Sequence, residues 1–107
     1  MKNESLIKIL NDCANACNHC ADACLDEENV DHMISCIRND RVCAEVCTST
    51  AKILSMSYGP IDELLRFCVS VCTRCAEECS QHDHEHCKAC AEACTACKEA
   101  CQNILTG

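Results

Sequence analysis

The chain has 107 residues with a formal charge of −8, and sixteen of those residues are cysteine. A chain of that length makes one small domain, 1–107, with room for one core, and its nine basic residues are dispersed, so nucleic acid is excluded as a partner. Phe67 and Tyr58 are the only aromatic residues, so the core is narrow or is filled by something other than large rings.

The first predicted element runs roughly from Glu4 to Asp26. Its opening run Leu6-Ile7-Lys8-Ile9-Leu10 is broken by lysine and followed by Asn11 and Asp12, too short and too polar for a secretory leader. No stretch approaches the roughly 18 apolar residues of a membrane span, so no membrane partner is expected. The chain reads as cytoplasmic, where thiols stay reduced and dense cysteine points to metal more than to disulfides. Cys13, Cys17, Cys20 and Cys24 then follow at spacings of three and four, which places them with Leu6 and Leu10 on one helical face.

The acidic stretch Asp26-Glu27-Glu28-Asn29 ends this helix, with Asn29 a cap for the next, roughly Val30 to Met56. The inward positions of the second helix are Cys36, Asp40, Cys43, Cys47, Thr50 and Leu54. Asp40 stands out, because an unpaired carboxylate on an inward stripe is costly. It is expected to pair with Arg38 or Arg41, to bind a histidine, or to touch metal. His32 and Met33 open this helix at the same end, and a thioether there would suit a soft ion. Met56, at the opposite end, reads as core, and His19 on the first helix reads as surface.

Ser57-Tyr58-Gly59-Pro60 makes the turn, with Pro60 suited to the first position of a third helix that runs to about Gln81. Its inward stripe is Ile61, Leu65, Cys68, Cys72, Cys75, Cys79 and His82. Asp83 can cap a fourth helix, His84 to about Leu105, whose stripe is Cys87, Cys90, Cys94, Cys97, Cys101 and Ile104. Cys17-x-x-Cys20-Ala-x-x-Cys24, Cys72-x-x-Cys75-Ala-x-x-Cys79 and Cys94-x-x-Cys97-x-x-x-Cys101 repeat one helical unit.

Short connections favour antiparallel neighbours, so the expected fold is all-α, an up-down-up-down four-helix bundle with a cysteine-lined core. Alternating helix directions gather Leu6, Leu10, Leu54, Ile61, Leu65 and Ile104 at one end. Cys24, Cys36, Cys79, His82 and Cys87 gather at the other. The result is a tube with an apolar plug, a thiol-lined middle and a histidine-bearing mouth.

Residues three or four apart on a helix have Cβ atoms about 5–6 Å apart, which lets two thiolates converge on one soft ion. Copper(I) is such an ion, and if each thiolate bridges two ions the capacity is roughly 16, one per cysteine. Zinc is the nearest alternative, but it asks for closed tetrahedra and would fill only about four sites. Iron–sulfur clusters normally use compact cysteine runs. A disulfide scaffold is disfavoured in the cytosol, and cysteine as a small hydrophobe explains one or two inward positions better than a whole stripe. At the mouth, His82, His84 and His86 lead into Cys87, and imidazoles near a helix N-terminus are favoured in the neutral, metal-binding form. A copper chaperone or sensor, with one or two exposed sites, is the competing function. Nothing supplies the positioned base or cofactor fold of an enzyme.

The four cysteine ladders, together with His82-Asp83-His84-Glu85-His86-Cys87 leading into Cys90-Ala91-x-x-Cys94, resemble the bacterial copper storage proteins, specifically their cytosolic branch. The resemblance covers nearly the whole chain. It implies storage of many Cu(I) ions on the sixteen core cysteines, copper admitted at the histidine end through His82, His84 and His86, and a homotetramer of bundles. The sequence departs from a continuous ladder on helix two, where Asp40 and Thr50 stand among Cys36, Cys43 and Cys47. A second apolar row, Val42, Val46 and Ile53 on helix two and Leu64, Phe67 and Val71 on helix three, fits either an oligomer contact or a widened core.

Overall fold

A computed structural model describes residues 1–107, and four helices account for most of them: α1 Glu4–Cys24, α2 Ile34–Leu54, α3 Asp62–Cys79 and α4 Glu85–Thr106. α1 packs on α2 and α4, and α3 packs on α2 and α4, which is the cyclic arrangement of an up-down-up-down bundle. The molecule measures 45 × 21 × 18 Å. No helix is long and apolar enough to cross a membrane.

The inward stripe follows the 3.6-residue period, and every one of the sixteen cysteines is at 0% exposure. Between α1 and α2 the flanking positions Ala14, Ala21, Ala44 and Ala51 are also buried. Side chains that small let two helices approach closely, which is how a core without aromatic rings stays filled. Leu6, Leu10, Leu54 and Leu65 join the same buried cluster and close one end.

The helix ends differ from the sequence expectation in ways that shape the other end. α1 stops at Cys24 rather than Asp26, and the amides of Leu25, Asp26 and Glu27 bond back to the carbonyls of Asp22, Ala23 and Cys24. These three-residue steps tighten the last turn and bring Glu27 round over the mouth. A 3₁₀ turn, Val30–Met33, precedes α2, and Asn29 contributes its carbonyl to His32, not a side-chain cap. Pro60 lies outside α3, whose first turn begins at Asp62 and carries Asp62 and Glu63 toward the positive end of the helix dipole. The fourth helix is flanked by His84, not Asp83, and the His84 carbonyl takes the amides of Cys87 and Lys88.

Two plug residues are also corrected. Met56 is 62% exposed and Ile104 is 43% exposed, while Leu105 packs against the core. His19 is exposed as expected.

Candidate metal centre

The thiols form overlapping groups stacked along the bundle. Nearest the mouth, Cys20, Cys24, Cys87 and His86 present ligand atoms within 4.8 Å of one another. Next come Cys20, Asp40, Cys79 and Cys90, one residue from each helix. Below them lie Cys17, Cys75, Cys90 and Cys94, then Cys13, Cys17, Cys43 and Cys94, then Cys13, Cys47, Cys72 and Cys97. Cys68 continues the ladder from Cys72 at 4.0 Å.

Adjacent groups share members. Cys20 belongs to the first and second, Cys90 to the second and third, Cys17 and Cys94 to the third and fourth, and Cys13 to the fourth and fifth. That overlap separates the two metal chemistries the sequence left open. Any one group could close a tetrahedron around zinc, but at four donors per ion the same thiols hold far fewer ions, even where a thiolate bridges two of them. A soft ion that accepts two or three sulfurs can use every member of a continuous ladder.

The spacing suits bridging. Neighbouring sulfurs lie as close as 3.5 Å at Cys36 and Cys79, and 4.0 Å at Cys47 and Cys97. With metal–thiolate bonds of about 2.3 Å, two such sulfurs can both reach one ion lying between them. Contacts cross from helix to helix, as in Cys17 to Cys94 at 3.7 Å and Cys43 to Cys72 at 3.8 Å, so the donor set is assembled by the fold.

Burial holds these thiols protonated where it dominates. Desolvation, with the neighbouring Cys36 adding, pushes Cys87 up to about 12, and the same causes raise Cys24. A thiol must lose its proton to bind metal, so loading is coupled to proton release.

Asp40 is fully buried and does not pair with Arg38 or Arg41, which are exposed. Its Oδ1 accepts from Cys75 and Cys90, each at 3.2 Å, and from Cys79 at 3.4 Å, while Oδ2 accepts from Cys36 at 3.8 Å. Burial, with the Cys90 sulfur behind it, pushes its carboxyl up to about 8. The carboxyl is therefore wired into the thiol ladder by four thiols from three helices, one layer below the mouth.

The three mouth histidines do different things. His86 sits in the first turn of α4 with Nδ1 3.4 Å from Cys20 Sγ, 3.5 Å from Cys87 Sγ and 4.0 Å from Cys24 Sγ. His84 stacks parallel on it at 5.4 Å between ring centroids. His82, in the turn after α3, hydrogen-bonds Glu78 Oε2 in the last turn of that helix at 2.9 Å, and its partner is that carboxylate rather than a thiol. His32, Met33, His82 and His84 line a cavity of about 300 Å³ with Glu27, Glu28 and Asn29, and Met33 is buried at its base.

Glu27 is the residue that sequence reasoning missed. Its Oε2 is 2.7 Å from His86 Nε2 and 3.4 Å from His84 Nδ1. The hydrogen bond from His86 holds the Glu27 carboxyl below the ordinary carboxylate range. In the sequence it is one of several acidic residues in a helix stop, and only the direction of the turn after Cys24 singles it out.

The family model for copper storage protein matches residues 1–106. The cysteine-rich protein YhjQ of Bacillus subtilis (strain 168), itself uncharacterized, is 41% identical over 88 residues, 82% of each chain. A cytosolic copper storage protein from Streptomyces lividans, solved with five coppers, superposes with a TM-score of 0.92 at 46% identity, over 95% of this chain and 90% of that one. The Cu(I)-bound copper storage protein BsCsp3 superposes with a TM-score of 0.92 at 39% identity, over 98% of this chain and 99% of that one.

Proposed function

Because the chain belongs to the copper storage protein family, we propose that it stores Cu(I) on the sixteen core cysteines, roughly one ion per thiol, admitting the ions at the histidine end. The observation that carries this reading is the shared membership of the thiol groups. An ion held in one group always has, among its own ligands, a sulfur that also belongs to the next. It can move inward by exchanging one thiolate at a time, never passing through an uncoordinated state. Asp40 serves in the second layer as an oxygen ligand or as the acceptor that orders the thiols around it.

His86 is the mouth ligand in this scheme, since its Nδ1 faces the first thiol group. His82 and His84 stand further out beside the cavity that holds Met33 and His32, and serve as outer contacts on the way in. Each thiolate that takes up copper releases about one proton, and the positive ions neutralise the thiolates, so the loaded core buries no net charge. Storage of this kind calls for no catalysis.

Free thiols in this number need a reducing compartment, which supports a cytoplasmic location. For assembly, the apolar row divides, with Val46 and Val71 packed into the core and Val42 and Phe67 exposed as surface that a homo-oligomer could bury; that the oligomer is a tetramer rests on the family resemblance.

An anaerobic titration of the reduced protein with Cu(I) against a chromophoric chelator tests the reading. Uptake of roughly 16 ions is expected. Saturation at one or two ions would make this a trafficking protein. Failure to take up copper beside tight binding of about four zinc ions would overturn the copper assignment.

A further inference from the structure

We propose that Glu27 is a positioning residue for copper uptake: by accepting the Nε2–H of His86 it fixes the ring tautomer whose Nδ1 lone pair faces Cys20, Cys24 and Cys87. This rests on the reading of the histidine end as the place where copper is admitted.

The argument begins from donor chemistry. An ionised carboxylate only accepts hydrogen bonds, so the imidazole nitrogen 2.7 Å from Glu27 Oε2 must be the one that carries the proton. In a neutral ring the other nitrogen is then the acceptor, free to ligate. That other nitrogen, Nδ1, is the one lying 3.4–4.0 Å from three sulfurs. A ring with the opposite tautomer would point N–H at the thiols and present no lone pair to an incoming ion.

The fold holds this arrangement from two sides. Glu27 is carried three residues past Cys24 by the tightened turn that ends α1, so one short backbone segment places both a thiol of the first group and the carboxylate behind its histidine. His84 Nδ1 lies 3.4 Å from the same oxygen, and its ring stacks on the His86 ring, which restrains rotation of that ring about its bond to the chain. With side chains only 13% exposed at His86 and 28% at Glu27, the pair is shielded enough for its hydrogen bond to persist. A carboxylate behind a ligating histidine generally fixes its tautomer and raises its basicity.

The test measures two things in the intact protein and in Glu27→Ala and Glu27→Asp. One is the tautomer of His86 in the metal-free, reduced protein, read by imidazole nitrogen NMR at mildly alkaline pH. The other is the initial rate of Cu(I) uptake by stopped flow. The expected result is an Nε2–H ring in the intact protein, a lost preference in Glu27→Ala with uptake slowed about tenfold, and partial recovery in Glu27→Asp. Total capacity should stay at roughly one ion per thiol throughout. An Nδ1–H ring in the intact protein, or a Glu27→Ala variant with unchanged tautomer or unchanged uptake, would overturn the proposal. His86→Ala, run alongside, separates the two readings. If it loads at the intact rate while the tautomer still depends on Glu27, it is uptake through the histidine end that fails.

Discussion

At the closed end of the bundle Leu6, Leu10, Leu54 and Leu65 are buried in one cluster, whereas at the open end His82, His84, His86 and Glu27 are polar, titratable and partly reached by solvent. The same four helices build both ends. The difference lies in what the inward positions can do: leucines supply transfer free energy and no ligands, and the mouth supplies ligands and little burial. Between them the thiols behave as small hydrophobes while protonated and as ligands once metal displaces the proton. On the proposed reading, then, each plug leucine adds more to the stability of the metal-free fold than a thiol does, and loading is controlled at the mouth.

The sharpest way to break that division is to truncate the plug. Leu10→Ala and Leu65→Ala, at positions with 0% exposure, should each cost about 2–5 kcal/mol of metal-free stability by denaturant unfolding. The initial rate of Cu(I) uptake should change little in whichever variant remains folded. Replacing His82, His84 and His86 together should do the reverse, slowing uptake while leaving the unfolding midpoint close to that of the intact chain. A plug variant that loads slowly and unfolds normally would abolish the distinction between the two ends.

A smaller effect is expected one layer below the mouth. Asp40 has its folded-state carboxyl raised from 3.8 to about 8, chiefly by burial. Between those limits the folded chain holds a proton that the unfolded chain has released, so stability falls as pH rises through the interval. Metal-free protein should lose on the order of a few kcal/mol over this range from Asp40 alone. Asp40→Asn, which cannot ionise, should flatten that part of the curve and be the more stable chain at its upper end. Chemical unfolding of both chains across the interval checks it. A parallel pair of curves would mean that the carboxyl ionises freely where it sits. The thiols titrate as well, Cys87 pushed up by burial and Cys36 held low by its hydrogen bond with Cys20, so the difference between the two chains, and not either curve alone, isolates Asp40.

How much of this was legible in the sequence follows from how local each feature is. The inward direction of all sixteen cysteines, of Asp40 and of Thr50 is fixed by helical period alone, and the structure buries every one of them. The direction of the ladder, plug to mouth, followed from alternating helix senses. The last turn of α4 is harder, because a heptad pattern drifts by about 20° per repeat against a straight helix. That drift decides between Ile104 and Leu105, and it is Leu105 that packs inward. For Asp40 the sequence leaves three partners open: Arg38 or Arg41, a histidine, or metal. Helix geometry turns Arg38 and Arg41 outward, and the neighbouring helices answer the carboxyl with thiols instead. Glu27 could not be found by periodicity at all, since it lies in a turn whose direction depends on where α1 stops.

The boundary between the two regimes falls on α2 at Thr50, between Cys47 and Leu54. Thr73, Thr95 and Thr106 each donate to the carbonyl four residues back, at 2.7, 2.9 and 3.0 Å. Thr50 is at 0% exposure and its Oγ1 has no hydrogen-bond partner. A buried hydroxyl left unsatisfied costs about 1–3 kcal/mol, so Thr50→Val, which keeps the branched shape, should raise metal-free stability by about 1 kcal/mol. The gain should appear as a higher midpoint in denaturant with an unchanged slope, because the surface exposed on unfolding stays the same. Copper capacity should not move, since neither threonine nor valine offers a thiolate. Thr50→Cys then tests where the ladder ends: if the boundary is set only by which residue stands at this position, the added thiol should extend the capacity by about one ion. An unchanged capacity would mean that the leucine plug, and not the last cysteine, closes the store.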